Sequence, residues 1–199
     1  PDLQRVSSYC LPRNLAKKSV EELAQLKDAG LEILYVGMES GDDEILRRVN
    51  KGETWESTRS ALMKIREAGL TSSVMVLNGL GGENLSRQHA INTATLCNET
   101  QPDYLSTLVV SFPQGEERFR EGFGDDFVPL SQKGLFEEIR LFLKHLELDK
   151  TIFRSDHASN YLVLKGTLGR DKQKMLDQVN LAITNPGAAP LRAEWMRGL

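Results

Sequence analysis

The sequence predicts an α/β fold built on parallel strands, and three observations carry that prediction. Short apolar runs alternate with longer segments of helical period. Helices of that length between strands impose parallel pairing through right-handed crossovers. Glycines gather where the apolar runs end: Gly37, Gly41, Gly79, Gly81 and Gly82. Four such strands suit either an open doubly wound sheet or part of a barrel, and in both the loops beyond the strands' carboxyl ends form the site.

Residues 5–9 (RVSSY) read as the first strand. Ser19 is a good N-cap for the helix that follows, with Glu22 completing a capping box, Leu23, Leu26 and Ala29 on the inner face and Gly30 ending it. Residues 33–37 form the second strand. Asp42 then caps a short helix carrying Ile45, Leu46 and Val49, which Gly52 closes. Thr54 opens a longer helix with Ala61, Leu62, Ile65 and Ala68 on one face, stopped by Gly69. Residues 73–77 are the third strand, residues 78–83 (NGLGGE) a loop, residues 86–99 a helix and residues 104–110 the fourth strand. Residues 111–129 form a connection punctuated by Pro and Gly, with room for one short helix. Ser131 caps an amphipathic helix with Leu135, Ile139, Phe142 and Leu146 on its face. Residues 151–154 make one more short strand, and a helix over 170–182 precedes a Pro/Gly tail.

Composition narrows the function classes. The 199 residues can bury a real core, and the chain opens Pro1-Asp2 without an initiator methionine, so a piece of a longer protein is expected as readily as a whole one. A formal charge of -3 gives no electrostatic reason to expect nucleic acid. No apolar run is long enough to span a bilayer, nothing at the amino end reads as a signal peptide, and the expected location is cytoplasmic, with no membrane partner. Cys10 and Cys97, far apart and without neighbouring ligand types, read as idle thiols rather than a metal site or disulfide.

Four groups lie at the predicted strand exits: Ser7 to Tyr9, Glu39 with Ser40, Asn78 to Glu83, and Ser111 to Gly115. A glycine-lined rim with one carboxylate suits a ribose or an amino-acid moiety, because the carboxylate accepts hydrogen bonds from hydroxyls or an ammonium. Glu39 reads equally as a helix cap or as a structural ion pair with Lys51 or Arg47. The glycine loop matches neither G-x-G-x-x-G nor the P-loop, and Glu83 is favoured in a first helical turn whatever the function. Residues 153–167 (FRSDHASNYLVLKGT) concentrate Arg154, Asp156, His157, Asn160 and Lys165 beside a strand end, which fits a site with His157 as general acid or base, or a buried hydrogen-bonded loop. His89 and His145 sit on helices and read as packing or surface residues.

Three strings, YVGMESGDDEILRRVNKGET, VMVLNGLGGEN and FRSDHASNYLVLKGTLGRDK, resemble the radical S-adenosylmethionine superfamily, within it a bacterial group of iron-sulfur oxidoreductases similar to oxygen-independent coproporphyrinogen III oxidase. The resemblance implies a partial (β/α) barrel with parallel strands, the carboxyl-terminal part of a barrel plus a helical extension. Residues 1–114 would be the partial barrel, with about four strands. Residues 115–199 would add the connection, the amphipathic helix, the polar strand-loop motif and the last helix, packed on the same domain. It also implies S-adenosylmethionine and a [4Fe–4S] cluster in an intact parent, with an electron donor such as a flavodoxin or ferredoxin. The C-x-x-x-C-x-x-C cluster motif is absent from this sequence, so the ligands are expected upstream of Pro1.

Residue by residue, the resemblance assigns Glu39 and Ser40, Lys51, Asn78 with Gly79, and Val110 to the cofactor; Arg154, His157 and Asn160, from the polar patch beside the strand end, are the candidates for substrate contact and its chemistry. Tyr9 and Met75 stand where the coproporphyrinogen oxidases carry acids, so those two contacts do not transfer. FPQGEE replaces the usual P-G-T-P of the substrate loop. In the parent, the reduced cluster would cleave the cofactor to a 5′-deoxyadenosyl radical, and the fragment alone would be inactive. Two other classes fit the residues: a cluster-free β/α-barrel lyase that binds a phosphorylated metabolite at residues 79–83, and a non-catalytic binding module.

Overall fold

The computed structural model describes residues 5–112 and 115–197. Six strands form one sheet in chain order: β1 (Val6–Cys10), β2 (Leu31–Glu39), β3 (Thr71–Asn78), β4 (Tyr104–Val109), β5 (Ile152–Ser155) and β6 (Leu164–Thr167). The first five run parallel, and β6 pairs antiparallel with β5 at the edge. Between them run α1 (Pro12–Ala16), α2 (Val20–Asp28), α3 (Asp43–Arg48), α4 (Trp55–Glu67), α5 (Gly82–Thr100), α6 (Glu117–Phe123), α7 (Gln132–His145) and α8 (Leu168–Thr184).

Helices α2, α4, α5, α7 and α8 lie side by side over one face of the sheet. Leu34, Val36 and Met38 of β2, Val74 and Val76 of β3, Leu105 of β4 and Phe153 of β5 point into that layer. There they meet Leu23, Leu62, Ile65, Leu96, Leu143 and Val179, and burying each such side chain contributes about 1.5–3 kcal/mol. The other face of the sheet carries no helix layer among the described residues. A smaller apolar cluster of Ile45, Leu80, Phe123 and Phe127 joins α3, α6 and the turn after β3.

The caps form as the sequence predicts. Ser19 and Glu22 close a reciprocal box, and Asp42, Thr54 and Ser131 each accept an N–H of their own first turn. Four features differ from expectation. The five-residue α1 is too short for periodicity to reveal; Pro12 starts it and the Asn14 side chain accepts the Leu11 N–H. α3 ends at Arg48, because Asn50 takes the left-handed turn ahead of Gly52. α5 begins at Gly82, four residues earlier than expected, so the glycine loop shrinks to a tight turn. β6 arises from register with β5, which no local pattern announces. Because β5 and β6 join the sheet, it continues across the expected division at residue 115 and holds six strands.

Candidate functional site at the carboxyl edge of the sheet

Side chains along a strand alternate between faces, so register decides which groups share the open face. Two rows result. Tyr9, Tyr35, Ser73, Tyr104 and Ile152 stand abreast, and two residues nearer the carboxyl ends come Gly37, Met75, Ser106, Arg154 and Lys165. A register shift between Gly37 and Glu39 marks a β-bulge, where Glu39 takes φ 61°. That conformation is uncommon for a residue with a Cβ and points to local constraint. It folds the Glu39 carboxylate back over Gly37, where a Cβ would lie 2.6 Å from Oε1 and push the carboxylate aside.

Lys51 Nζ donates to Glu39 Oε1 at 2.8 Å, and the two side chains keep 17% and 21% of their surface in solvent. The ion-pair reading of Glu39 is thus realised with Lys51, while Arg47 pairs with Glu44. α1, missed in the sequence, positions this pair. Arg13 donates to the Lys51 carbonyl, and its Nε donates at 2.8 Å to buried Glu53, which also accepts Ser57 Oγ at 2.8 Å. Beside the Lys51 turn, an opening of about 890 Å³ is bordered by Arg47, Asn50, Ser111 and Phe112. Pro113 and Gln114, within the expected fourth rim group and the FPQGEE loop, lie outside the described residues.

Lower on the open face lies a groove of about 450 Å³, lined by Tyr35, Met75, Tyr104, Arg154, Asp156 and His157 among others. His157 Nδ1 accepts the Ser159 N–H at 3.1 Å and lies 2.9 Å from Ser159 Oγ, so the neutral ring carries its proton on Nε2. Lys165 Nζ lies 2.7 Å from Asp156, whose carboxyl is held below the usual range chiefly by that hydrogen bond. Two tail arginines fix the loop that carries His157, and nothing in the sequence pattern announced them. Arg192 donates to the carbonyls of Asp156, His157 and Asn160. Arg197 donates to Ser159 O at 2.8 Å and lies 3.7 Å from the Tyr161 ring centroid.

Three of the residues expected at the site send their side chains to the covered face instead: strand parity places Ser40 and Asn78 there, and the loop after β5 turns Asn160 back. Ser40 is fully buried, with Oγ 2.8 Å from His89 Nδ1. Asn78 donates to Leu135 O at 3.3 Å, and Asn160 donates to Thr107 O at 2.7 Å. Val110 packs beside Gly79, where a Cβ would come within 3.3 Å of its Cγ1, and against the apolar cluster of Ile45, Leu80, Phe123 and Phe127. The Gly79 N–H is taken by Glu138 Oε1 at 2.6 Å, and the N–H groups of Leu80, Gly82 and Glu83 are bonded to backbone carbonyls. The loop proposed for phosphate therefore spends these donors internally. Gly41, read as a site glycine, is required by packing, since a Cβ would lie 2.7 Å from Asn92 O on α5. His89 is buried, its Nε2 donating to Leu77 O, and His145 is exposed, so both take the packing and surface roles expected of them.

Cys10 and Cys97 are free thiols, pushed up by burial to about 11 and about 12. Among the described residues no three His, Cys, Asp or Glu side chains gather as metal ligands. The residues present therefore do not fit an iron-sulfur cluster, which needs thiolates at close spacing. They do fit an amino-acid group, since the rim presents an ammonium and a carboxylate side by side. Among the described residues no helix is long and apolar enough to cross a membrane.

Comparison with known proteins agrees with this layout. The family described as Radical SAM superfamily matches residues 5–94. The heme chaperone HemW of Bacillus subtilis (strain 168) is 29% identical over 91 residues, 45% of this chain and 24% of that protein. A probable threonylcarbamoyladenosine tRNA methylthiotransferase of Methanocaldococcus jannaschii is 26% identical over 125 residues, 61% of this chain and 28% of that protein. The chain thus spans about a quarter of the length of these curated relatives. In fold it is similar to archaeal Elp3 from Methanocaldococcus infernus, with TM-score 0.63 at 18% identity over 89% of this chain and 42% of Elp3. Methylornithine synthase (PylB) follows at TM-score 0.51 and 15% identity, over 94% of this chain and 59% of that one.

Proposed function

Residues 5–94 belong to the radical SAM superfamily, and on that premise we propose that this chain is the part of a radical S-adenosylmethionine enzyme that holds the cofactor's amino-acid end and the substrate. The observation that carries the proposal is the half-buried Lys51–Glu39 pair, aimed over Gly37 on the open face at the strands' carboxyl edge. Glu39 would accept the cofactor's ammonium and Lys51 would donate to its carboxylate, exchanging one internal bond for two intermolecular ones of the charge-assisted kind. Val110, next to Gly79, would give the adenine an apolar flank. When bound in the intact enzyme, the cofactor supplies hydrogen-abstraction chemistry to an unknown substrate. This chain's own share is positioning and exclusion of side reactions. Its residues do not build the cluster, so the thiolates would come from polypeptide outside this sequence, and an external donor such as a flavodoxin or ferredoxin would supply the electron.

Titration calorimetry of the chain with S-adenosylmethionine tests the reading. Saturable binding is expected, weakened about tenfold or more by either Glu39→Gln or Lys51→Gln, in proportion to the charge-assisted hydrogen bonds lost. Absence of binding, or binding indifferent to both substitutions, would overturn it. Under reducing, iron-free conditions the chain alone is expected to leave S-adenosylmethionine uncleaved.

A further inference from the structure

The groove below the rim is built for an anion, and its walls say what kind. The Arg154 side chain makes no hydrogen bond or ion pair among the described residues; its guanidinium lies 5.9 Å from the Tyr104 ring centroid, and its charge adds to the lowering of the Asp156 carboxyl. The one carboxylate lining the groove, Asp156, is already engaged by Lys165. His157 presents Nε2–H, because its other nitrogen accepts from Ser159. What remains on offer is therefore donors: the guanidinium groups of Arg154 and Arg5, each with five N–H groups, and an imidazole N–H. The walls between them are aromatic and soft. Tyr9 stacks on Tyr35 at 5.0 Å with 76% of its own surface exposed, and Ser73 stands between Tyr35 and Tyr104 in the register, with Met75 in the next row towards the carboxyl ends.

We propose that this groove binds a substrate carrying a carboxylate on an aromatic or similarly planar body, with Arg154 as the carboxylate anchor, His157 as a second donor and the tyrosines as the stacking surface. A carboxylate is the occupant proposed because the planar fork of Arg154 matches it in bidentate geometry; Arg5, ahead of β1, borders the groove as a second cation. Position supports a substrate role. Arg154 and Gly37 share a row across β2, β3, β4 and β5, so three inter-strand steps of about 4.8 Å separate them, roughly 14 Å along the sheet. A molecule anchored at Arg154 would thus extend towards a nucleoside held at the Glu39 rim. The inference rests on the proposed function only in naming this occupant the substrate; occupancy of the groove by an aromatic acid can be measured without the cofactor.

Indole-3-propionate and its uncharged amide are the probes, titrated into the chain by calorimetry and followed by amide chemical shifts. The acid is expected to shift the signals of Tyr104–Val109 and Ile152–Ser155 and to bind about tenfold or more tightly than the amide. Arg154→Gln should bring the acid down to the amide's affinity, and Arg154→Lys should keep part of the difference. Arg154 is exposed, so neither variant should disturb folding, and coincident unfolding curves check that. Glu39→Gln should leave acid binding unchanged. Equal affinity for acid and amide, or an Arg154→Gln variant that binds the acid as well as the parent, would overturn the proposal. Tighter binding of phenyl phosphate than of the acid would overturn the carboxylate assignment. Acid binding without S-adenosylmethionine binding would sink the rim reading and leave the groove standing; the converse would do the reverse.

Discussion

The open and covered faces of one sheet edge use the same residue types to opposite ends. At the tip of β2, Glu39 lies on the open face, half-exposed against Lys51, while Ser40, one residue on, is sealed against His89. On β5, Arg154 faces the groove without a partner, whereas the following loop turns Asn160 back to the Thr107 carbonyl beneath α7. Among the covered groups, Ser40, Asn78, Asn160 and His89 all have hydrogen-bond partners; among the open ones, charges are left able to exchange partners. A polar residue near a strand tip therefore says little about function by itself. Its parity relative to the sheet decides whether it meets a ligand or a helix, and a bulge such as that at Glu39 can reset the parity.

The largest test of that division is His89→Ala. The substitution leaves the Ser40 hydroxyl proton without its acceptor, removes one of the two donors on the Leu77 carbonyl and opens a cavity under the tips of β2 and β3. A loss of about 3 kcal/mol is expected in denaturant unfolding, with indole-3-propionate affinity unchanged in the folded protein. Asn160→Ala comes next and is sharper, because the sequence makes Asn160 a candidate for substrate contact. Removing its 2.7 Å bond to Thr107 O leaves a buried carbonyl unmet and should cost about 1–3 kcal/mol, again without loss of probe affinity. A variant as stable as the parent that no longer binds the probe would dissolve the distinction between the two faces.

Much of the scaffold was legible in the sequence, because capping residues and apolar period are local signals. Ser19 with Glu22, Asp42, Thr54 and Ser131 begin their helices as read, and the parallel order follows from helix lengths alone. Glu39 and Lys51 were legible as a pair of opposite charges near a strand exit. Their shared face was not, since the bulge that turns Glu39 over Gly37 depends on pairing with β3. The burial of Ser40 and Asn78 was hidden for the same reason: a strand's polar tip is visible in sequence, but the side it faces depends on the strand's partners; Asn160, beyond the end of β5, is turned inward by its loop. Arg13, Arg192 and Arg197 act at 30 or more residues' separation through backbone carbonyls, which have no sequence signature. β6 was hidden because a four-residue strand containing Lys165 and Gly166 reads locally as a polar loop.

The smallest effect expected concerns Glu138, the one ionisable acid on the covered side of the β3 tip. Its Oε1 accepts the Gly79 N–H at 2.6 Å and lies 4.0 Å from His89 Nε2, while Oε2 is buried without a hydrogen-bond partner. Burial raises its pKa above the ordinary 4.5, against the opposing pull of His89, Ser86 and the Gly79 amide; Glu83, Arg87, Lys133 and Glu137 border the cleft beside it. A raised folded-state value means the native chain holds a proton that the unfolded chain has released, so stability falls as pH climbs from 4.5 through the raised value. Glu138→Gln keeps an acceptor for Gly79 and cannot titrate. In urea unfolding the variant should match the parent near pH 4.5 and below, then gain on it as pH rises and level off above the raised value. Asp171 and Glu44, whose carboxyls are held down to about 2 by Arg170, and by Arg47 with Arg48, weaken both proteins alike in acid and cancel in the difference. If the parent instead proves the more stable at neutral pH, Glu138 is ionised there against a protonated His89. The covered face would then carry a buried ion pair of its own, and the contrast between a neutral, satisfied face and a charged, exchangeable one would have to be redrawn at β3.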